Sequence, residues 1–179
     1  PTQTAVIRSR ANSRRAGVEF SMPVFIFYRV LFYPFMNQFN KKTLNILEQI
    51  GKSDQHFLRL WRAGGITRKQ LISKTVLHKK KLEEILDQSG FPNKTNASKK
   101  AYKSSVLVAL HSGDKIFMKN FLKMLIKQPG ISIDSSDSAL LIDKIAVLEK
   151  KYQIYGTQSQ IGMHNKKLTP YPIVDIGGV

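Results

Sequence analysis

The stretch QLISKTVLHKKKLEEILDQSGFP, residues 70–92, decides the fold class. Leu71, Thr75, His78, Leu82 and Ile85 recur in it at spacings of four and three, which puts them on one face of an α-helix. Gly90 and Pro92 end that helix after Ser89, because glycine suits the C-terminal turn and proline cannot continue it. Downstream, NKTNASKK is a polar basic loop, and YKSSVLVAL is an apolar helix leading to His111. After Gly113 and Asp114 an amphipathic helix runs to about Gln128, and the Ser and Asp cluster at 134–137 caps a further one marked by Leu141, Ile145, Leu148 and Tyr152.

Upstream, KKTLNILEQI is helical from Lys41, and Ser53 is an N-cap signal for a separate helix through His56, Phe57, Leu60 and Trp61 that Gly64 and Gly65 break. From Tyr155 on, Gly156, Gly162, Pro170, Pro172 and the closing Gly-Gly read as extended loop. The expectation is a mainly α protein. A compact multi-helix domain over residues 41–179 carries an extended C-terminal tail and is preceded by a basic arm and aromatic-rich segment over 1–40. A chain of 179 residues, 42% hydrophobic, is long enough to bury a core.

Charge is the most informative bulk property. The chain has 29 Lys and Arg against 12 Asp and Glu, a formal +17. Residues 1–40 hold five basic and one acidic side chain, 41–130 nineteen and six, and 131–179 five of each, so the surplus belongs to the first 130 residues. Such a balance speaks to an anionic partner more than to fold. The absence of cysteine excludes a disulfide framework, a thiolate metal site and a cysteine nucleophile. No phosphate-binding glycine loop, dinucleotide fingerprint or zinc-type His and Glu spacing occurs, and neither cofactor nor metal is expected.

Three clusters carry the surplus. Arg8, Arg10, Arg14 and Arg15 form an Arg- and Ser-rich arm without nearby acids, which fits an organelle-targeting peptide or a nucleic-acid-binding arm. We expect a retained arm lying on a partner, in an intracellular or organellar protein. Lys79, Lys80 and Lys81 form the second cluster, with Glu83 and Glu84 close behind. Lys115, Lys119, Lys123 and Lys127 form a ladder, four residues or about 6 Å apart, with no acid among them. That rise matches the phosphate spacing of a nucleic-acid strand, and a solvated helix face is the plainer alternative. All three suit sequence-independent phosphate contact.

Residues 20–39 hold eight of the chain's seventeen aromatics, interrupted by Arg29 and Pro34. The run is shorter than the roughly 20 residues a spanning helix needs. It is expected to pack on the domain or on a protein partner, with surface contact to a membrane as the alternative. Among the four histidines, His78 falls on an apolar helix face and reads as a core residue, whereas His56 and His164 have no partner in sequence. His111 precedes Asp114 by three residues, and an imidazole beside a carboxylate is the material of a general base. Asp114 is equally well placed to cap the helix after it. The sequons at Asn93 and Asn96 are attributed to chance.

The segments ILEQIGKSDQ, KLEEILDQSGFP, VLVALHSGD and SALLIDKIAVLEKKYQIYGTQ, in that order, resemble a bacterial family catalogued as domain of unknown function 6624, over about residues 43–175. The resemblance implies a helical fold and brings no activity with it. Its polar signature maps onto Asp54, Gln55, His111, Asp114, Asp143, Tyr155, Gly156, Thr157 and Gln158, residue types that suit one polar pocket. Three positions depart from the family pattern. Leu58, followed by Arg59, replaces a basic residue; Ser112 and Gly113 both separate His111 from Asp114, where one residue is usual; and Met118 stands where a Gln is expected.

Two function classes are compatible with these features. In the first, the chain is a non-catalytic basic component that associates with a polyanion such as RNA, as a subunit of a ribonucleoprotein or other large assembly. In the second it is an enzyme, a hydrolase or toxin-like effector, with His111 as base supported by Asp114 or Asp54.

Overall fold

The computed structural model describes residues 38–130, 133–161 and 168–174. Five helices carry the domain: α1 (Lys41–Arg62), α2 (Arg68–Ser89), α3 (Lys99–His111), α4 (Lys115–Ile126) and α5 (Ser135–Leu148). Two short strands, β1 (Ser159–Ile161) and β2 (Leu168–Pro170), follow. The mainly α expectation holds.

Side chains start four of the helices by accepting an otherwise unpaired backbone N–H. Asn40 accepts from Thr43 and Ser98 from Ala101, while Asp114 accepts from Phe117. Thr67 and Gln70 cap each other's backbone reciprocally, which starts α2 at Arg68. Asp134 stands at the N-cap of α5 but makes no capping bond; its carboxylate is taken by Lys94 and Lys103.

Ser53 does not start a helix, because α1 runs unbroken from Lys41 to Arg62. The reason is tertiary: α1 buries Leu47, Gly51 and Asp54 on one stripe, and its most extensive packing is against α3. Gly51 lies so close to α3 that a Cβ there would overlap Ser104 Cβ and Oγ and stand 3.0 Å from Ser104 Cα. A glycine that weakens an isolated helix here permits the close approach of two.

The core joins Leu47 of α1, Leu82 and Ile85 of α2, Tyr102, Val106 and Ala109 of α3, Phe117, Met118, Phe121 and Leu125 of α4, and Leu141 and Ile145 of α5. Phe121 meets Phe91 and Phe117 at ring-centroid distances of 5.0 and 6.1 Å. Met118, at the position where the resemblance led to the expectation of a Gln, is fully buried in this core.

Among its described residues the tail, expected as extended loop, contains a short strand pair. Strands β1 and β2 pair antiparallel with Ser159 opposite Pro170 and Gln160 opposite Thr169, and Gln153 bridges to Ile173 in parallel. Buried Gln153 ties the segment together, donating from Nε2 to the Gln158 and Tyr171 carbonyls and accepting from the Gln158 N–H. Among the described residues no helix is long and apolar enough to cross a membrane. The arm with Arg8, Arg10, Arg14 and Arg15 lies outside the described residues, as do most of the aromatic segment and His164.

Candidate functional site

Helix α1 carries Asp54 inward, 1% exposed, with Gln55 beside it. His111, at the last turn of α3, brings Nδ1 to 2.6 Å from Asp54 Oδ2, and Gln55 Nε2 donates to the same oxygen at 3.3 Å. His78 of α2 faces the other oxygen, its Nδ1 3.8 Å from Oδ1, while its Nε2 is 2.9 Å from Ser53 Oγ. One carboxylate thus stands between two imidazoles from two different helices. Burial pushes the Asp54 carboxyl up, but the hydrogen bond from His111 and the nearness of His78 outweigh it, so the group sits below its ordinary value. Asp54 Oδ1 and His78 Nδ1 are both buried without a hydrogen-bond partner.

Asp114 is not the carboxylate of this arrangement. It caps α4 through Phe117 and accepts from Lys79 Nζ at 2.8 Å, an ion pair that holds its carboxyl below the ordinary range. The pairing partner of His111 lies 57 residues away in sequence, where spacing along the chain could not reveal it.

Between α1 and α3 a cleft of about 280 Å³ opens, lined by Gly51, Lys52, Gln55, Arg59, Lys100, Lys103, Ser104 and Leu107. Four cations and two uncharged polar side chains give it the character of an anion site. Lys103 is held by Asp134 at 2.8 Å and Asp137 at 2.7 Å, and Lys100 lies 3.4 Å from Glu48. Lys52 and Arg59 carry no ion pair among the described residues and are exposed. None of these four stands out in the sequence as a contact. The signal is nevertheless present: Lys52, Gln55 and Arg59 share one helical face, and so do Lys100, Lys103, Ser104 and Leu107. Arg59, next to Leu58, is one of the four cations at the cleft.

The remaining signature residues form a second centre. Buried Asp143 of α5 accepts from Ile154 N at 2.9 Å, Tyr155 N at 3.0 Å, Thr157 N at 2.7 Å and Thr157 Oγ1 at 2.9 Å. Burial raises the Asp143 carboxyl and these bonds lower it further, leaving it below its ordinary value. Gln158 Nε2 donates to the Leu140 carbonyl, and Gly156 takes the left-handed φ of 67° that the turn needs. Tyr155 is 57% exposed. The Tyr-Gly-Thr-Gln stretch is therefore a turn clamped onto α5. Among the described residues its hydrogen bonds run to Asp143, Gln153, Leu140 and Tyr171, and none joins it to Asp54, Gln55 or His111, so the single polar pocket expected from residue type resolves into two centres.

The lysine clusters are partly neutralised. Glu149, just past α5, pairs with Lys119, with Lys151 at 2.8 Å and with Lys115 at 3.9 Å, and Lys119 and Lys151 hold its carboxyl down at about 2. Lys123 and Lys127 are exposed with no ion pair among the described residues. Lys79 is bound by Asp114 and Glu83 and Lys81 by Glu84, while Lys80 is exposed. Among the described residues no group of three or more His, Cys, Asp or Glu is arranged to hold a metal ion.

No curated protein matches the chain, and no solved structure does. A family model does match, over residues 66–175, and it is described as a family of unknown function, DUF6624. The match begins after α1, so Asp54, Gln55, Lys52 and Arg59 stand outside it, whereas His111, Asp143 and the Tyr-Gly-Thr-Gln turn stand within. With more than half its length matched, the chain belongs to DUF6624.

Proposed function

We propose that this domain is a binding component for a polyanion, with RNA as the ligand class, and that the α1–α3 cleft is where the phosphates sit. The observation that carries the reading is the convergence of Lys52, Arg59, Lys100 and Lys103 on one cleft, with Arg59 exposed and in no ion pair among the described residues and Lys52 exposed with only the longer-range charge of Glu48 acting on it. Four cations gathered round one shallow cleft reinforce one another's field, which favours it over scattered surface lysines as a phosphate contact. The net +17 supports attraction at long range. Lys123 and Lys127 are a further pair of exposed cations on α4, but Glu149 withdraws the first half of that ladder from service. Membership of a ribonucleoprotein or other large assembly fits such sequence-independent contact.

The test is binding of a fluorescent single-stranded oligoribonucleotide followed by anisotropy across a salt series. Each phosphate contact to a single strand contributes about 0.7 to the slope of log affinity against log salt. Lys52→Glu with Arg59→Glu is expected to weaken binding and to flatten that slope by about 1.4. Equal affinity and slope in wild type and double variant would remove the cleft as the contact.

A further inference from the structure

The cleft and the His111–Asp54 pair adjoin, and a catalytic role for that pair rests on the reading of the cleft as a phosphate site. Gln55 lines the cleft and hydrogen bonds to Asp54 Oδ2, the oxygen that also meets His111 Nδ1. Leu107 lines the cleft one helical turn before His111. An ionised carboxylate only accepts, so the proton of this bond sits on His111 Nδ1, and in the neutral imidazole the lone pair is then on Nε2. The ring is 22% exposed, and Nε2 makes no hydrogen bond within the described residues. An imidazole fixed from behind, with its free nitrogen open, is built to move a proton.

A second observation marks Asp54 as more than a tie between helices. Its Oδ1 and the facing His78 Nδ1 are sealed from solvent and stand 3.8 Å apart, with no hydrogen bond to either. Buried polar atoms in folded proteins nearly always find partners, and a catalytic role is one of the reasons an exception is kept. A purely structural cross-link would be as well served by a group that satisfies both oxygens.

We infer that His111 is a general base for cleavage of single-stranded RNA held in the α1–α3 cleft. Nε2 takes the proton of a ribose 2′-hydroxyl as O2′ attacks the neighbouring phosphorus. The O2′–P bond forms and the P–O5′ bond breaks, its electron pair leaving on O5′, which takes a proton from solvent water. The products are a 2′,3′-cyclic phosphate and a 5′-hydroxyl, and His111 returns its proton to solvent. Lys52 and Arg59 face the charge on the phosphate, and Asp54 is the positioning residue that fixes the tautomer of His111. RNA is the polyanion that carries its own nucleophile, so one base beside a phosphate cleft is sufficient chemistry.

The test uses the full chain and an oligoribonucleotide with a 5′ fluorophore and a 3′ quencher, beside its deoxy and 2′-O-methyl counterparts. The ribo form is expected to be cut to a cyclic phosphate and the other two to stay whole. His111→Ala and the more conservative His111→Gln are expected to lower kcat by about 10²- to 10⁴-fold with binding unchanged. Asp54→Asn is expected to lower kcat less and to shift the acid limb of the rate profile, which loss of a structural tie alone would not do. An oligoribonucleotide that binds in a salt-dependent way yet stays intact from about pH 5 to 8 overturns the catalytic step and leaves the binding reading standing. Cleavage that survives His111→Gln overturns it as well, whereas failure of binding itself tells against the cleft.

Discussion

Gly51→Ala is the substitution whose consequence the geometry fixes most tightly. The added Cβ would overlap Ser104 Cβ and Oγ and stand 3.0 Å from Ser104 Cα. Rotating the hydroxyl away moves neither Cβ nor Cα of Ser104, so α1 and α3 must separate to restore ordinary van der Waals distance. Overpacking of this kind costs about 1–3 kcal/mol. Replacing a mid-helix glycine by alanine returns up to about 1 kcal/mol through helix propensity. The net expectation is a loss of about 1–2 kcal/mol, which at an m-value of about 2 kcal/mol per M lowers the urea midpoint by about 0.5–1 M. Equilibrium urea denaturation followed by circular dichroism measures it. The source of the loss is checked by pairing: Ser104→Ala keeps the clashing Cβ and should not rescue, whereas Ser104→Gly should recover part of the loss despite its own helix penalty. A Gly51→Ala protein as stable as the wild type would refute the close approach of α1 and α3, and with it the width of the cleft they line.

Two further outcomes concern the buried carboxylates. Asp143→Ala strands three backbone N–H groups and the Thr157 hydroxyl at once, and is expected to destabilise by about 3 kcal/mol or more, read as a lowered melting temperature; a change within 0.5 kcal/mol, roughly the size of a neutral surface substitution, would contradict the clamp. For pH the sign follows from the direction of the shifts. Asp54 and Asp143 are both held below their ordinary 3.8, so the unfolded chain binds protons first as pH falls. Their stabilisation is complete above 3.8 and is lost as pH drops through the lower folded values. Urea midpoints should therefore fall steeply below about pH 4, and less steeply in Asp54→Asn and Asp143→Asn. A wild-type midpoint flat across that range would contradict both assignments.

The helices are legible wherever local signals and tertiary packing agree. The face of Leu71, Thr75, His78, Leu82 and Ile85 is buried in α2 as its spacing requires, and Gly90 ends the helix at a φ of 82°. Ser53 misleads because a cap signal is local, while the packing that carries α1 past it depends on Ser104, fifty-one residues on. His111 is legible as a residue type and illegible as a pair, since the nearest carboxylate in sequence, Asp114, is committed to Lys79 and the start of α4. The lysine ladder looks free of acids for a similar reason: Glu149 reaches it from beyond α5. The Tyr-Gly-Thr-Gln residues have the composition of a pocket, but backbone N–H groups cannot be read from side-chain letters, and these are what Asp143 binds.

The most direct test of the central claim, that the α1–α3 cleft is the phosphate contact, compares two variants of equal charge. Lys52→Glu with Arg59→Glu, and Lys123→Glu with Lys127→Glu, each change two positive side chains to negative and take the formal charge from +17 to +13. Attraction at long range is thereby matched, and only the place of contact differs. Oligoribonucleotide anisotropy across a salt series is expected to show the cleft variant losing affinity and about 1.4 in slope, with the ladder variant closer to wild type. A ladder variant that loses as much as the cleft variant, or more, contradicts the claim.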